Sequence, residues 1–239
     1  NNLKGHSDYV VKTILRGLTG EIDNKTYEGV IMVPMAENSD DWVASVASFI
    51  RFSFDNNASL VSTDDVARVR KATENQKSAY QYKALKASVP VELKLSSDWK
   101  VTASHAVPVL KGGTGKPVGA LTFEGWSTGI PQEPGMWFQI EFPEIYSVSE
   151  VQFISQGIRQ GSWRDRIPPI KTHPRQLIIE TSKDGKKWTQ VFSGEGSDSP
   201  NMIRLKESEG KFLRMRQTGS HEKGTWAMSE MKIFGKIKS

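Results

Sequence analysis

Asp184-Gly185 lies between two strand-like runs, and no other stretch limits the fold of this chain so sharply. In Ile178-Ile179-Glu180-Thr181-Ser182-Lys183, side chains alternate across an extended backbone. Ile178, Glu180 and Ser182 take one side; Ile179, Thr181 and Lys183 take the other. Asp-Gly between such runs predicts a tight hairpin, because a two-residue primed turn needs positive φ, which these residues tolerate. A returning strand is predicted from Trp188 to Phe192. Phe212 to Gln217 and Met228 to Phe234 are also strand-like, so the last hundred or so residues read as an all-β meander.

Upstream, Trp137, Phe138, Ile140 and Phe142 make an apolar strand that stops at Pro143, and Val148, Val151, Phe153 and Ile154 make another. Turn residues recur about every ten positions, the spacing of a β-sandwich. Trp99, Trp126, Trp137 and Trp188 are assigned to the space between its sheets, where strand-embedded aromatics usually pack.

The first part of the chain has a different period. Asp8 to Gly17 opens with a capping-type residue, closes with glycine, and places Val10, Val11, Ile14 and Leu15 at helical spacing. Ser39 is the predicted N-cap of a second helix with Asp40 and Asp41 in its first turn and Trp42, Val43, Val46, Phe49 and Ile50 as its buried stripe. Ser62 opens a third, with Val66, Val69 and Ala72 inward. The polar span from Thr73 to Ser88 reads as a linker or a frayed extension of that helix. Composition shifts at Val89-Pro90-Val91, which gives two domains, 1–89 and 90–239, in keeping with about 100 residues each.

Several function classes fall away. The chain has no cysteine, so it supplies no disulfide, zinc-thiolate site or Cys nucleophile. No apolar run approaches the ~20 residues of a membrane span, so no membrane insertion is expected. Residues 1–95 hold twelve cations and twelve acids, which places the whole net charge of +5 downstream. There the cations are scattered among acids rather than gathered, which argues against nucleic acid. Catalytic Ser-His-Asp sets, phosphate-cradling glycine loops and His-x-x-x-His pairs are missing from the sequence, and the chain is not expected to be an enzyme. It opens at Asn1-Asn2-Leu3-Lys4 without initiator methionine or leader, and so reads as a piece of something longer.

Ile14 to Ile22, Tyr27 to Met35 and Ser39 to Arg51 form a helix, a methionine-bearing loop and a final helix with an aromatic near its end. In this order they are similar to the C-terminal half of a class I c-type cytochrome domain. The following Phe54 to Ser59 and Ser62 to Val66 fit cytochrome domains appended to large bacterial dehydrogenases. The resemblance covers residues 5–72. It makes Met32 the axial heme ligand by motif position, with Met35 second. Heme attachment in that family needs Cys-x-x-Cys-His. No cofactor is therefore expected in this chain, and heme c is implied only if an upstream segment carries that motif. Flexible core packing is the other reading of both methionines.

Residues 96–236 resemble the discoidin-like family, also called coagulation factor V/VIII type C and close to carbohydrate-binding module family 32. The resemblance is carried by Trp99 to Ser104, Gly125 to Gly129, Gly135 to Phe142, Val148 to Phe153, the Ser182 to Trp188 hairpin, Lys211 to Arg216 and Met228 to Gly235. It implies a mainly β fold, a jelly-roll sandwich of about eight strands preceded by the small α-helical segment, with recognition loops at one end. It also implies that calcium is sometimes held, with Glu230 at the family's glutamate position. The loop Gly119 to Ser127 lacks the usual Asp-Gly, and capping of backbone amides is the other role open to Glu230.

On such a scaffold the loops carry recognition. The most unusual runs from Gly157 to Pro174 and holds Arg159, Trp163, Arg164, Arg166 and His173 without strand alternation. An indole can stack on a sugar ring, and guanidinium forks match hydroxyls and carboxylates. A second loop adds His221, Glu222 and Trp226, and a third holds His105. The residues leave another arrangement open, with Asp165 paired to Arg164 or Arg166 and Trp163 packed under its own loop. The favoured expectation is a non-catalytic module binding glycan or polysaccharide. It would be joined to part of a cytochrome domain in a bacterial redox enzyme, periplasmic or at the cell surface, with an upstream redox domain as partner. The alternative is electron transfer through a heme domain, with the discoidin-like half docking protein.

Overall fold

The computed structural model of the chain describes residues 2–22, 25, 32–56, 58–107, 115–155, 157, 169–197 and 201–237. Contacts divide it into two compact units, 1–91 and 92–239.

In the first unit, α1 (Asp8–Arg16), α2 (Asp40–Phe52) and α3 (Thr63–Ala72) bury a small core of Val10, Val11, Ile14, Leu15, Val43, Ala44, Ala47, Val61, Val66 and Val69. The caps follow the sequence. The Ser39 hydroxyl accepts from the Trp42 amide at 3.2 Å. Ser62 and Asp65 form a reciprocal capping box at the start of α3. Asp8, buried at the head of α1, takes both guanidinium nitrogens of Arg68, at 2.6 and 3.1 Å. Burial pushes its pKa up, but hydrogen bonds from His6 and Arg68 outweigh that and hold it well below the usual carboxylate range.

Three expectations are corrected here. The inward stripe of α2 is Val43, Ala44, Ala47 and Arg51, while Trp42, Phe49 and Phe52 stand 42%, 60% and 61% exposed. Small side chains let α2 approach its neighbours closely, and that leaves the bulky ones outside. Arg51 can be buried because carbonyls surround it: Nη1 donates to Leu3 and Gly5 at 2.7 and 2.9 Å, and Nε donates to Ser59 at 2.8 Å. The expected linker or frayed extension from Thr73 to Ser88 is ordered structure. Thr73, rather than Ala72, turns inward at the end of α3. The short parallel pair β1 (Leu18–Thr19) and β2 (Tyr80–Gln81) leads to α4 (Tyr82–Ser88), which buries Tyr82 and Leu85. Its polarity misled because one turn of a seven-residue helix needs only those two apolar groups.

The second unit is mainly antiparallel β, with a short 3-10 helix at Pro117–Leu121. Its strands are β3 (Val91–Glu92), β4 (Lys100–Ala103), β5 (Trp126–Pro131), β6 (Trp137–Ile154), β7 (Leu177–Ser182), β8 (Thr189–Gly194), β9 (Asn201–Gln217) and β10 (Thr225–Ile237). They hydrogen-bond as one eight-stranded sheet folded over on itself. The long strands make the fold-over. β6 pairs β9 from Trp137 to Glu141, shifts register, and pairs it again from Tyr146 to Phe153. Its first half also takes β4, and its second half takes β10. One layer is therefore β4, β6, β9, β7 and β8. The other is the remaining halves of β6 and β9 with β10 and β5. Between them lie Phe138, Ile140, Phe142, Val151, Phe153, Leu177, Ile179, Leu213, Met215, Trp126, Trp226 and Ile233, all under 2% exposed. Burying each such side chain stabilises the fold by about 1.5–3 kcal/mol. Trp126 and Trp226 meet edge-to-face at 5.2 Å, and the Trp126 indole donates to the His105 carbonyl at 2.8 Å.

The hairpin between β7 and β8 differs from its predicted form. Residues 183–188 make a six-residue loop rather than a two-residue turn. The Asp184 carboxylate bends back to accept from the Lys186 and Lys187 amides, both at 2.8 Å, so it closes a wider loop through its side chain. Those amides hold its pKa below the ordinary value. Trp99 and Trp126 are core residues, as expected. Trp137 and Trp188 are not: both are half-buried on the outer surface of the first layer.

Candidate functional site

At one end of the second unit, the loops after β5, before β7 and before β10 meet on a single side chain. Gln132 is 2% exposed. Its Nε2 donates to the carbonyls of His173 at 2.9 Å and Thr225 at 3.0 Å, and its Oε1 accepts from the Arg175 amide at 3.2 Å. Its backbone adds two further ties, donating to the Gly224 carbonyl and accepting from the His221 amide, both at 2.9 Å. Gln217, fully buried at the end of β9, lies against the Gln132 amide. Three loops far apart in sequence are thus fastened to one amide. Gly224 allows the closest approach, since a Cβ there would lie 2.5 Å from the Lys171 carbonyl.

Three functional side chains stand on this base. Arg175 Nη1 lies 2.8 Å from His173 Nε2. A guanidinium only donates, so His173 must accept there and keep its proton on Nδ1. His221 Nδ1 accepts from the Lys223 and Gly224 amides at 3.1 and 2.9 Å, which leaves Nε2 protonated. Burial and the nearby Arg175 charge lower the pKa of His221, against a smaller opposing pull from Glu222. At neutral pH the group is therefore an uncharged imidazole beside a fixed cation. Lys171, Glu222 and Lys223 are exposed at the same end. Such a surface offers donors and acceptors to a polyhydroxylated ligand.

Of the predicted site residues, the structure brings His173 and His221 together here, with His173 9% exposed and braced against Arg175, and His221 half-buried. Trp163, Arg159, Arg164 and Arg166 lie outside the described residues. His105 is half-buried beside Ser104. Trp226 is fully buried and belongs to the core. Sequence reasoning missed Arg175, Gln132 and Gln217. Arg175 carried a signal, as a cation just ahead of the first inward residue of β7. Gln132 and Gln217 carried none, since each is an ordinary polar residue until the fold brings them together.

Glu230 and Met32 are placed elsewhere. Glu230 is exposed in left-handed backbone, φ 50°, where β10 shifts register, and its amide donates to the Thr122 carbonyl at 2.9 Å. The neighbouring Gly119 carbonyl already accepts from the Thr122 amide, the Thr122 hydroxyl and the Gly125 amide. Among the described residues no group of three acidic or histidine side chains gathers. A calcium ion wants about six to eight oxygens, and one carboxylate beside carbonyls already taken does not fit that need. In the first unit, Met32 is 40% exposed and exchanges both backbone hydrogen bonds with Leu18. It can offer a thioether, but the unit's one histidine, His6, is buried against Asp8.

The opposite end of β7 carries an open groove of about 700 Å³ near Thr181, Ser182, Asp184 and Ser208. Its charges are internally balanced, with Lys183 on Glu209 at 2.7 Å and Asp184 turned to its own amides.

No family model matches the chain, and no curated protein matches it. Among solved structures it is similar to CBM32-3 from a family 31 glycoside hydrolase of Clostridium perfringens, at 18% identity and TM-score 0.44, over 61% of this chain and 95% of that one. CpGH89CBM32-5 from Clostridium perfringens, in complex with GalNAc-beta-1,3-galactose, matches at 15% identity and TM-score 0.43, over 57% and 94%. The CBM32 of AlyQ, in complex with 4,5-unsaturated mannuronic acid, matches at 16% identity and TM-score 0.42, over 60% and 98%.

Proposed function

We propose that the second unit is a non-catalytic carbohydrate-binding module that grips its ligand at the loop end built on Gln132. The observation that carries this is that Arg175 and His221 are both tied by their backbone amides to the buried Gln132, on one polar base. A guanidinium fork braced on His173 and a neutral imidazole N–H braced on its own loop suit hydroxyls, because neither must be reordered on binding. Arg159, Trp163, Arg164 and Arg166 belong to the same proposal through their sequence position between Gly157 and His173. No step of bond making or breaking is assigned to these groups.

The wider setting rests on the resemblance of residues 5–72. In this reading the module is tethered to a bacterial redox enzyme outside the cytoplasm and holds it near polysaccharide. No helix among the described residues is long and apolar enough to cross a membrane. Met32 would be one axial ligand of a heme c whose thiols and histidine come from other residues than these.

A second reading has one observation in its favour. Trp42, Phe49, Phe52 and Phe54 stand exposed along one side of the first unit, with Phe49 and Phe54 edge-to-face at 5.7 Å. Exposed apolar surface of that kind suits protein contact, and with it an electron-transfer domain for which the second unit serves docking.

A glycan array on the full chain separates the two readings. The module reading expects a saccharide hit that weakens about tenfold in Arg175→Gln and His221→Ala, on variants whose circular dichroism spectra show them folded. An array without any hit, on protein shown to be folded, would remove it.

A further inference from the structure

The outer surface of the β4–β6–β9–β7–β8 layer faces water, yet much of it is aromatic and cationic. Alternation puts Trp137, Gln139 and Glu141 of β6 outward, since Phe138, Ile140 and Phe142 are inward. By register Trp137 stands beside Arg216, Gln139 beside Arg214 and Glu141 beside Phe212 on β9. On β7, Ile178 follows next to Arg216 and Glu180 next to Arg214. Neighbouring strands are about 4.8 Å apart, so these residues form a continuous surface rather than scattered positions.

The polar groups on this surface are held in fixed poses. Arg214 lies with its guanidinium carbon 3.7 Å from the centroid of the Trp188 ring, and that indole meets Phe212 edge-on at 6.3 Å. Glu180 accepts from Arg214 at 3.0 and 3.1 Å and from Arg216 at 2.9 and 3.3 Å. One carboxylate therefore orients two guanidinium groups. At the next position Glu141 faces both Lys100 at 3.5 Å and Lys211 at 3.6 Å. Four cations thus share two carboxylates on one sheet face. The face keeps net positive charge, and Arg216 keeps 37% of its side chain exposed beside half-buried Trp137.

We infer that this sheet face is a second saccharide-binding surface, distinct from the loop end, and that it takes acidic polysaccharide of the polyuronate type. Aromatic faces suit the apolar side of a pyranose, and oriented guanidinium forks suit its carboxylate. The excess of cations selects an acidic chain over a neutral one. The flat, open form of the face suits an extended polymer rather than a chain end. The inference extends the carbohydrate reading above and rests on it.

The test titrates the full chain with sodium alginate and with its carboxyl-reduced counterpart. Alginate binds, the reduced polymer binds at least about tenfold more weakly, and added salt weakens the alginate complex. Trp137→Ala and Arg216→Gln each cut alginate affinity about tenfold, with the circular dichroism spectrum and unfolding midpoint preserved. Should either variant fail to fold, Gln139→Glu, which places a new carboxylate at the centre of the face, gives the same loss. His221→Ala and Arg175→Gln leave alginate binding intact. Alginate binding that survives all three sheet variants overturns the inference, as does equal affinity for both polymers. Loss in the loop variants alone overturns it while sparing the loop-end reading. A chain that binds array glycans but no alginate does the same, and one that binds no glycan at all overturns both.

Discussion

Arg175 places Nη1 2.8 Å from Nε2 of His173, and the same guanidinium charge bears on His221 across the loop. One cation therefore fixes the tautomer of His173, which must accept through Nε2, and, with burial, opposes the charging of His221.

The titration of His221 should be visible in stability. Its folded-state pKa lies below the ordinary 6.5 because burial and Arg175 oppose its charge. A base depressed on folding binds fewer protons folded than unfolded. Stability is thus full above about pH 6.5 and falls as pH drops from there toward the folded value. Urea unfolding at about pH 5.5 and about pH 7.5 measures the slope. His221→Gln should flatten it, and an unchanged slope in the variant would assign the pH dependence elsewhere.

Gln132 should matter more to stability than an ordinary polar residue. Gln132→Leu leaves the carbonyls of His173 and Thr225 and the Arg175 amide without their partner. Unsatisfied buried groups of this kind cost about 1–3 kcal/mol each, reduced where water can enter, so a net loss of about 2–4 kcal/mol is expected. The denaturation midpoint of the second unit reports it, and glycan binding should fall with it. A loss below about 0.5 kcal/mol would mean that the three loops do not depend on this amide.

In the first unit, α4 and the outer side of α2 make opposite predictions. Leu85 is fully buried, and Leu85→Ala should cost about 2–5 kcal/mol. Phe49 is 60% exposed, and Phe49→Ser should stay within about 0.5 kcal/mol while raising solubility. Thermal unfolding followed by helix ellipticity tests both. Equal effects would mean that the α2 surface is covered in solution.

Glu230 occupies left-handed backbone, φ 50°, which costs a non-glycine residue about 1 kcal/mol. Relief of that backbone should let Glu230→Gly raise stability by about 0.5–1 kcal/mol, equally in calcium and in chelator. A destabilisation seen only in calcium-containing buffer would restore a metal-ligand role.

Much of the scaffold was legible in the chain because local rules carry it. Ser39 and Ser62 cap helices because a hydroxyl there meets amides that the helix leaves unpaired. Phe138, Ile140 and Phe142 are inward because a strand alternates, and the mainly β character of residues 92–239 follows from many such runs. Local rules mislead where size or reach decides. In α2 small residues won the buried side from large ones, and the Asp184 side chain turned a short hairpin turn into a wider loop.

From composition and spacing alone came the two kinds of segment, their order, the helix caps, the alternating strands and the absence of cysteine chemistry. Those are properties of period and residue type, which a chain carries wherever it folds. The tertiary structure alone decided that Gln132 and Gln217, eighty-five positions apart, would share a buried contact. It also decided that Arg175 would govern two histidines, and that Trp137, Trp188, Arg214 and Arg216 would lie on the water side of a sheet. Strand register and loop closure set these pairings. Both depend on long-range hydrogen bonds and core packing, and no local stretch of sequence contains them.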